Sequence, residues 1–442
     1  MNRKILISSL TCLVMGTTII NADNLLEKKQ ADGEQQTTTE QVEQSKHRLT
    51  IGGYGEAVAS RMFYSNNYKR YTSADLYKND KGFGQFDLPH VVVYLGYDFG
   101  KGWSMGTEIE FEHGGTESAV EVEEEETGEY ESEVERGGEV ALEQFWLQKS
   151  FSRALNLRLG HMVVPVGGTN NSHMPTEFFT VYRPEGENTI MPCTWHETGV
   201  SLWGHVGDWR YEAMFIAGLD ADRFGNKGWI HDGAGSPYEF KMATAYAGAV
   251  RIDNHSIKGL RLSLSGYLGN SANNTLNATG KYKGLHGTVA IGAFDFLYND
   301  HNFIARGNFD YGHLSNSLEI TTANMSTRAD SPSPKTNIGE AAIAMGIEAG
   351  YDIFSQIART RESGQRFYIF GRYDYYDSMF MTVKNMTDEK MWSRQKVTAG
   401  VNYYPIPQIA IKGEYSYRIL SKQYNNEPTI SLGICYSGLF HI

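Results

Sequence analysis

The chain has 442 residues, a formal net charge of −12, 47 Gly, 27 Tyr and 3 Cys. An acidic balance with no basic patch excludes a nucleic-acid binder, and the two cysteines outside the N-terminal segment, Cys193 and Cys435, supply neither a disulfide framework nor a Cys/His zinc spacing. Length alone would suggest two or three soluble domains, but the pattern along the chain points elsewhere.

Residues 1–22 read as a secretory signal peptide: Arg3 and Lys4 are basic, 5–20 is mostly apolar, and Ala22 closes a small-residue cleavage site. Cys12 lies inside it behind Ser9-Leu10-Thr11, a poor lipoprotein processing site, so no lipid anchor is expected. Residues 23–46 are polar, charged and Pro-free, the composition of a disordered or loosely helical periplasmic lead-in. Beyond the leader no run of about 18 apolar residues offers a membrane-spanning helix. High Gly and aromatic content nevertheless fits a membrane β-barrel, in which only alternate residues face lipid.

From residue 47 to 442 the apolar pattern has period two, and strand-like stretches fall near 48–60, 88–99, 102–113, 139–151, 154–165, 195–206, 208–220, 242–253, 257–269, 281–297, 302–313, 339–354, 365–378, 393–405, 408–420 and 428–440. The fold class is therefore all-β, a transmembrane antiparallel barrel of about 16 strands. In 409–418, Ile409, Ile411, Gly413, Tyr415 and Tyr417 oppose Ala410, Lys412, Glu414, Ser416 and Arg418. A Lys or Arg on the lipid face costs about 2–4 kcal/mol at the midplane, so the charged set must face the lumen. Trp103, Met105, Thr107, Ile109 and Phe111 likewise oppose Ser104, Gly106, Glu108, Glu110 and Glu112. Strands near 139–151 and 281–297 alternate poorly, and their faces stay open. In the last strand Ile430, Leu432, Ile434 and Tyr436 oppose Ser431, Gly433, Cys435 and Ser437, which turns Cys435 toward the lumen.

Connections alternate short and long. Tight links at 100–101, 151–153, 207, 254–256, 299–301, 358–364 and 405–407 alternate with long ones near 61–87, 114–138, 166–194, 221–241, 270–280, 314–338, 379–392 and 421–427. That asymmetry is expected of short periplasmic turns and long extracellular loops. The third long loop, 166–194, is punctuated by Gly167, Gly168, Pro175, Pro184, Gly186 and Pro192 yet carries Phe178, Phe179, Tyr182 and Met191. Such a loop should pack against something, and a barrel this wide offers its own inner wall. We expect it to fold into the lumen as a constriction. An ordinary surface loop over the barrel mouth is the alternative.

Four segments, FGQFDLPHVVVYLGYDFG (83–100), VYRPEGENTIMPCTWHETGVSLWG (181–204), FGRYDYYD (370–377) and NYYPIPQIAIKGEYSYR (402–418), resemble the outer-membrane porins related to the phosphate- and pyrophosphate-selective group. The resemblance implies a sixteen-stranded diffusion channel of the Gram-negative outer membrane, a homotrimer in contact with lipid, with phosphate and other anions among the candidate solutes. In that group selectivity depends on pore lysines. Between 166 and 194 this chain has no Lys, only Arg183 and His173.

Strand parity turns Arg158, Arg210, Arg251, Arg261, Arg306, Arg372 and Arg418 toward the lumen, together with Glu56, Glu108, Glu110, Glu112, Glu212, Glu348, Asp374 and Glu414. With His173, Glu177, Arg183, Glu185 and Glu187 of the third loop, these are the candidate pore residues. A basic wall opposed to an acidic one would set a transverse field that filters ions; the same charges could instead pair and merely solvate the wall. The acidic second loop, 117–139, reads as an extended solvated chain, or as carboxylates bridged to surface sugars by divalent cations. Catalysis is not expected, because Ser172-His173 and His196-Glu197 are neighbours whose side chains point apart on an extended chain. No cofactor is implied. A non-conducting structural or binding barrel that presents its loops is the reading outside transport.

Overall fold

Residues 48–442 are described by a computed structural model, apart from 125–129, 236–241, 276–277, 327–332 and 385; the predicted signal peptide and lead-in lie outside the described residues. One antiparallel sheet contains every strand. They are β1 (Leu49–Met62), β2 in two pieces (Gly84–Asp87 and His90–Gly100), β3 (Trp103–Glu124), β4 (Tyr130–Ser152), β5 (Leu155–Val163), β6 (His196–Val206), β7 (Trp209–Ala217), β8 (Tyr246–Ile257), β9 (Leu260–Asn270), β10 (Thr288–Asp300), β11 (Phe303–Leu314), β12 (Ala341–Asp352), β13 (Arg366–Met381), β14 (Ser393–Ile406), β15 (Ile409–Ile419) and β16 (Glu427–His441). Both pieces of β2 pair with β1, so the break at Leu88-Pro89, where proline has no N–H to give the ladder, interrupts one strand. The sheet closes between its ends, with Thr50 opposite His441 and Met62 opposite Thr429. The result is a sixteen-strand barrel without a free edge.

Alternation sorts the two faces. Val91, Val93, Leu95, Ile109, Phe111, Ile411, Tyr415, Leu432 and Ile434 are exposed on the outside, while Glu108, Glu110, Lys412, Glu414 and Ser431 are buried inside. This is the inversion that a lipid solvent and a polar lumen require. The poor alternation of β4 has a local cause. Glu108 pairs with Gln144 and Ile109 with Leu142, so Glu143 is an extra residue, a β-bulge. The outward set therefore changes phase from Val140 and Leu142 to Phe145 and Leu147. In β10 the strand begins only at Thr288, after a short helix at Ala278–Lys281, so the sequence had included seven residues of loop.

Tight turns sit at one end. Lys101-Gly102 and His301-Asn302 have positive φ at both positions, the geometry that matches strand twist in two-residue hairpins. At the other end the long links interlock. Trp229 Nε1 donates to the Gly339 carbonyl at 3.0 Å and Asn226 Nδ2 to Glu389 at 2.7 Å, which ties the fourth, sixth and seventh loops together. In the second link the extended backbones of β3 and β4 stay paired, from Glu117 opposite Gly137 to Glu124 opposite Tyr130. The acidic side chains there lie outside the described ones.

Candidate functional site

The third loop leaves β5 and returns to β6 across a closed neck. Val164 N donates to the Trp195 carbonyl at 2.8 Å. Asn170 holds both arms, its Nδ2 on the Val164 carbonyl at 2.7 Å and its Oδ1 accepting Trp195 N at 2.6 Å. Within the loop, α1 (Glu185–Ile190) presents the Glu187 carboxylate, which accepts the backbone N–H groups of Gly168 and Asn170, each at 2.8 Å. Gly167 is required at that point. Its φ is +83°, and a Cβ there would lie 2.3 Å from Glu187 Oε1.

From the neck the loop crosses the lumen and docks on the far wall, β12 to β15. The Lys412 ammonium donates to three successive loop carbonyls, those of Pro175, Phe178 and Thr180, and also lies over the Phe178 ring. Val181 N donates to Glu414 at 2.7 Å, Phe179 N to Glu348 at 3.3 Å, and Asn402 Nδ2 to the Phe179 carbonyl at 2.9 Å. Between these bonds the Phe179 ring stacks on Phe370 at 5.4 Å and meets Tyr368 at 5.1 Å, in a cluster that also holds Tyr404 and Cys435. Burial of such a ring contributes about 1.5–3 kcal/mol, and each aromatic pair about 0.5–1.5 kcal/mol more. Gly350 makes the room, since a Cβ there would come within 2.6 Å of the ring.

A second anchor follows at α1. Glu185 accepts from Arg418 Nη2 and Lys396 Nζ at 2.6 Å each and from the Tyr376 hydroxyl at 2.6 Å. Burial by itself pushes this carboxyl up; the Arg418 and Lys396 charges outweigh it and hold it well below the usual carboxylate range. Arg418 is fixed in turn by Glu427 of β16.

The loop's remaining charged groups are used in holding the loop itself. Glu177 is 2% exposed and accepts Met174 N, and His173 turns Nδ1 to the Asn170 carbonyl. Arg183 reaches the His173 carbonyl, the Tyr54 hydroxyl at 3.2 Å and Glu110 at 3.9 Å. From the sequence these side chains are candidate pore residues of the narrowing loop. In the fold, Glu177, Glu187 and His173 fasten the loop to itself, Arg183 also ties it to Tyr54 and Glu110 of the wall, and Glu185 anchors it to the far side.

On the strands the arginines alternate with carboxylates and do not form one bare basic wall. Arg210 pairs with Glu212 and Asp253, Arg251 with Asp253 and Asp295, Arg261 with Asp295, Arg306 with Glu348, and Arg372 with Glu348 and Asp374. Arg158 donates to Gln148 at 3.0 Å and lies 4.5 Å from the Trp146 ring centroid. Carboxylates outnumber cations at one sector. Glu56, Glu108, Glu110, Glu112 and Glu143 converge on the inner face of β1 to β4, where Glu108 accepts from Gln144, Glu143 from Thr194, and Glu110 contacts His90 at 2.7 Å. Sequence reasoning missed His90, Glu143, Lys412, Lys396 and Tyr376 as site residues. Parity turns His90 inward as it does Lys412, but the loop carbonyls that Lys412 holds lie too far along the chain to be read from it.

The histidines that tempted a catalytic reading are engaged elsewhere, His173 as above and His196 with His161 at 2.6 Å. No protein-family model matches the chain. It is similar to an uncharacterized protein of Aquifex aeolicus (strain VF5), 25% identical over 389 residues that cover 85% of this chain and 76% of the relative. Among solved structures the barrel superposes on the outer membrane channel DcaP of Acinetobacter baumannii, with a TM-score of 0.51, 10% identity and coverage of 88% of this chain and 97% of that one. It matches the Salmonella typhi OmpF complex with daunomycin at 0.51, 10% identical over 89% and 98% of the two chains. An anion-selective porin from Comamonas acidovorans gives 0.50, 10% identical over 89% and 100%. At these identities the likeness is one of fold: the chain folds as outer-membrane porins do.

Proposed function

We propose that the protein is a passive diffusion channel of the outer membrane, in which small hydrophilic solutes and ions pass between the third loop and the charged inner wall. The observation that carries this reading is the loop itself. A barrel built only to present a surface has no need of a segment carried across its lumen and fastened at Lys412, Glu414 and Glu185 to the opposite wall. The lumen's lysines speak against phosphate preference, since Lys412 is spent on loop carbonyls and Lys396 on Glu185. With the surplus carboxylates on β1 to β4, the channel favours cations weakly. Copies assemble as trimers, as the resemblance implies, and chemical crosslinking of the detergent-extracted protein tests this separately. Planar-bilayer recording in a salt gradient tests the rest: stepwise conductance with a reversal potential on the cation side is expected. A folded barrel that inserts and carries no current would return the protein to the class of structural barrels.

A further inference from the structure

At the acidic sector three ligand-type atoms meet at a fault in the sheet. β2 resumes at His90 just after the Leu88-Pro89 break, and β3 kinks just beyond Glu112, where His113 and Gly114 both have positive φ and the register slips. His90 sits opposite Glu112, two residues from the partner of Glu110, so all three side chains enter the lumen together. The His90 nitrogen and the two carboxylate oxygens lie within 4.8 Å of one another. His90 Nδ1 is 2.7 Å from Glu110 Oε1 and 3.9 Å from Glu112 Oε1. Ligand atoms around an ion bound at about 2.0–2.2 Å stand roughly 3–4 Å apart; the longer separation lies in that range, and the shorter, a hydrogen-bond length, opens when an ion replaces the shared proton. Glu110 is closed off, whereas the Glu112 side chain keeps 33% exposure and gives an entry path from water.

The independent observation lies on the other side of the ring. Glu56 places Oε1 3.9 Å from His90 Nε2, its side chain is 2% exposed, and Oε2 has no hydrogen-bond partner among the described residues. A buried carboxylate oxygen without a partner is costly. Glu56 facing the far nitrogen favours the tautomer with hydrogen on Nε2, which turns the Nδ1 lone pair toward Glu110 and Glu112, where a cation would be held. In metal sites a carboxylate commonly receives the second N–H of the bound histidine, and Glu56, 3.9 Å away, is placed to close onto Nε2 in that role. Arg183 lies 3.9 Å from Glu110 and opposes a cation there. His113, against Asp87 at 2.8 Å, is the other basic group beside it, while Glu108 and Glu143 add to the acidic side.

We propose that His90 Nδ1, Glu110 and Glu112 bind one divalent metal ion of the zinc or manganese class in the lumen, with Glu56 as the carboxylate that orients the imidazole. Nitrogen with carboxylate oxygen is a donor set for such borderline ions. Binding replaces the proton between His90 and Glu110, so it releases protons. The site is a property of the folded barrel and is measured without current, which keeps it distinct from the channel reading.

The test is Zn²⁺ titration calorimetry on the untagged, detergent-folded protein in two buffers of different ionisation enthalpy. One ion per chain with net proton release is expected. His90→Gln and Glu112→Gln should each weaken binding at least tenfold, and Glu56→Gln about 10- to 100-fold with the stoichiometry kept. His301→Gln, an exposed histidine on the turn end, should change nothing. Fold is checked by heat-modifiable gel migration, and the partly exposed Glu112 supplies the variant least dependent on it. No stoichiometric binding by the parent protein, or equal affinity in the folded His90→Gln and Glu112→Gln variants, overturns the proposal.

Discussion

Replacing Glu185 by Gln removes the charge on which Arg418, Lys396 and Tyr376 converge. Breaking a fully buried ion pair by removing one partner costs about 3–5 kcal/mol. Here the three charged side chains retain 15–21% exposure, and Arg418 keeps Glu427. Water screens part of the loss, and we take about 2–3 kcal/mol against the docked loop. That shifts the docked-to-undocked ratio by about 30- to 150-fold. Single-channel recording should show added flicker and larger open levels, and limited proteolysis should cut within 166–194 in the variant before the parent protein is touched. Because the docked carboxyl is held below its ordinary range, its contribution is present in full above the undocked pKa and is lost only as pH falls through the depressed value. The Glu185 anchor should therefore contribute equally from neutral pH to about pH 4, so the difference between the parent and Glu185→Gln should stay constant over that range. Unchanged current and unchanged protease resistance in Glu185→Gln would refute the anchor.

Lys412→Met should free the same loop by a different route. Three carbonyls lose a charged donor, each bond contributing about 1.5–3 kcal/mol, and loop proteolysis with a lowered unfolding temperature reads the effect. Leu432→Arg places a charge on the lipid face at a cost of about 2–4 kcal/mol near the midplane. Its refolding yield into vesicles should fall, whereas Ser431→Ala, one residue away on the lumen side, loses only a hydroxyl bonded to Ser60 and should refold normally. Arg158→Ala together with Arg210→Ala leaves Glu212 and Asp253 undercompensated, so the reversal potential in a salt gradient should move further toward cations.

The barrel was legible because lipid and water impose opposite demands on successive residues. Ile411 and Lys412 are neighbours that no single solvent could accept, and both lie where their parity put them. Legibility failed where one residue broke the period. Glu143 shifts the phase of β4, and no composition rule marks a bulge. The strand pairing in the second link went unseen for a different reason. Its acidic blocks suggested a solvated chain, yet Val120 and Val122 alternate with Glu121 and Glu123, and the backbone there pairs as strand. At the site, the aromatics of 166–194 were enough to send the loop inward. What its charges hold was not legible, because parity says nothing about a residue on a loop: Glu187 ties together the N–H groups of Gly168 and Asn170. Lys412 could not have been connected to Pro175, 237 residues away, before the sheet was closed.

The channel we propose has the docked segment 166–194 as its throat. Liposome swelling with a graded series of neutral sugars, comparing the parent protein with a variant in which residues 174–182 are replaced by a short Gly-Ser link, tests it directly. We predict that the parent admits only the smallest sugars and that the shortened loop admits larger ones. Equal size limits for the two proteins, both folded, would contradict it.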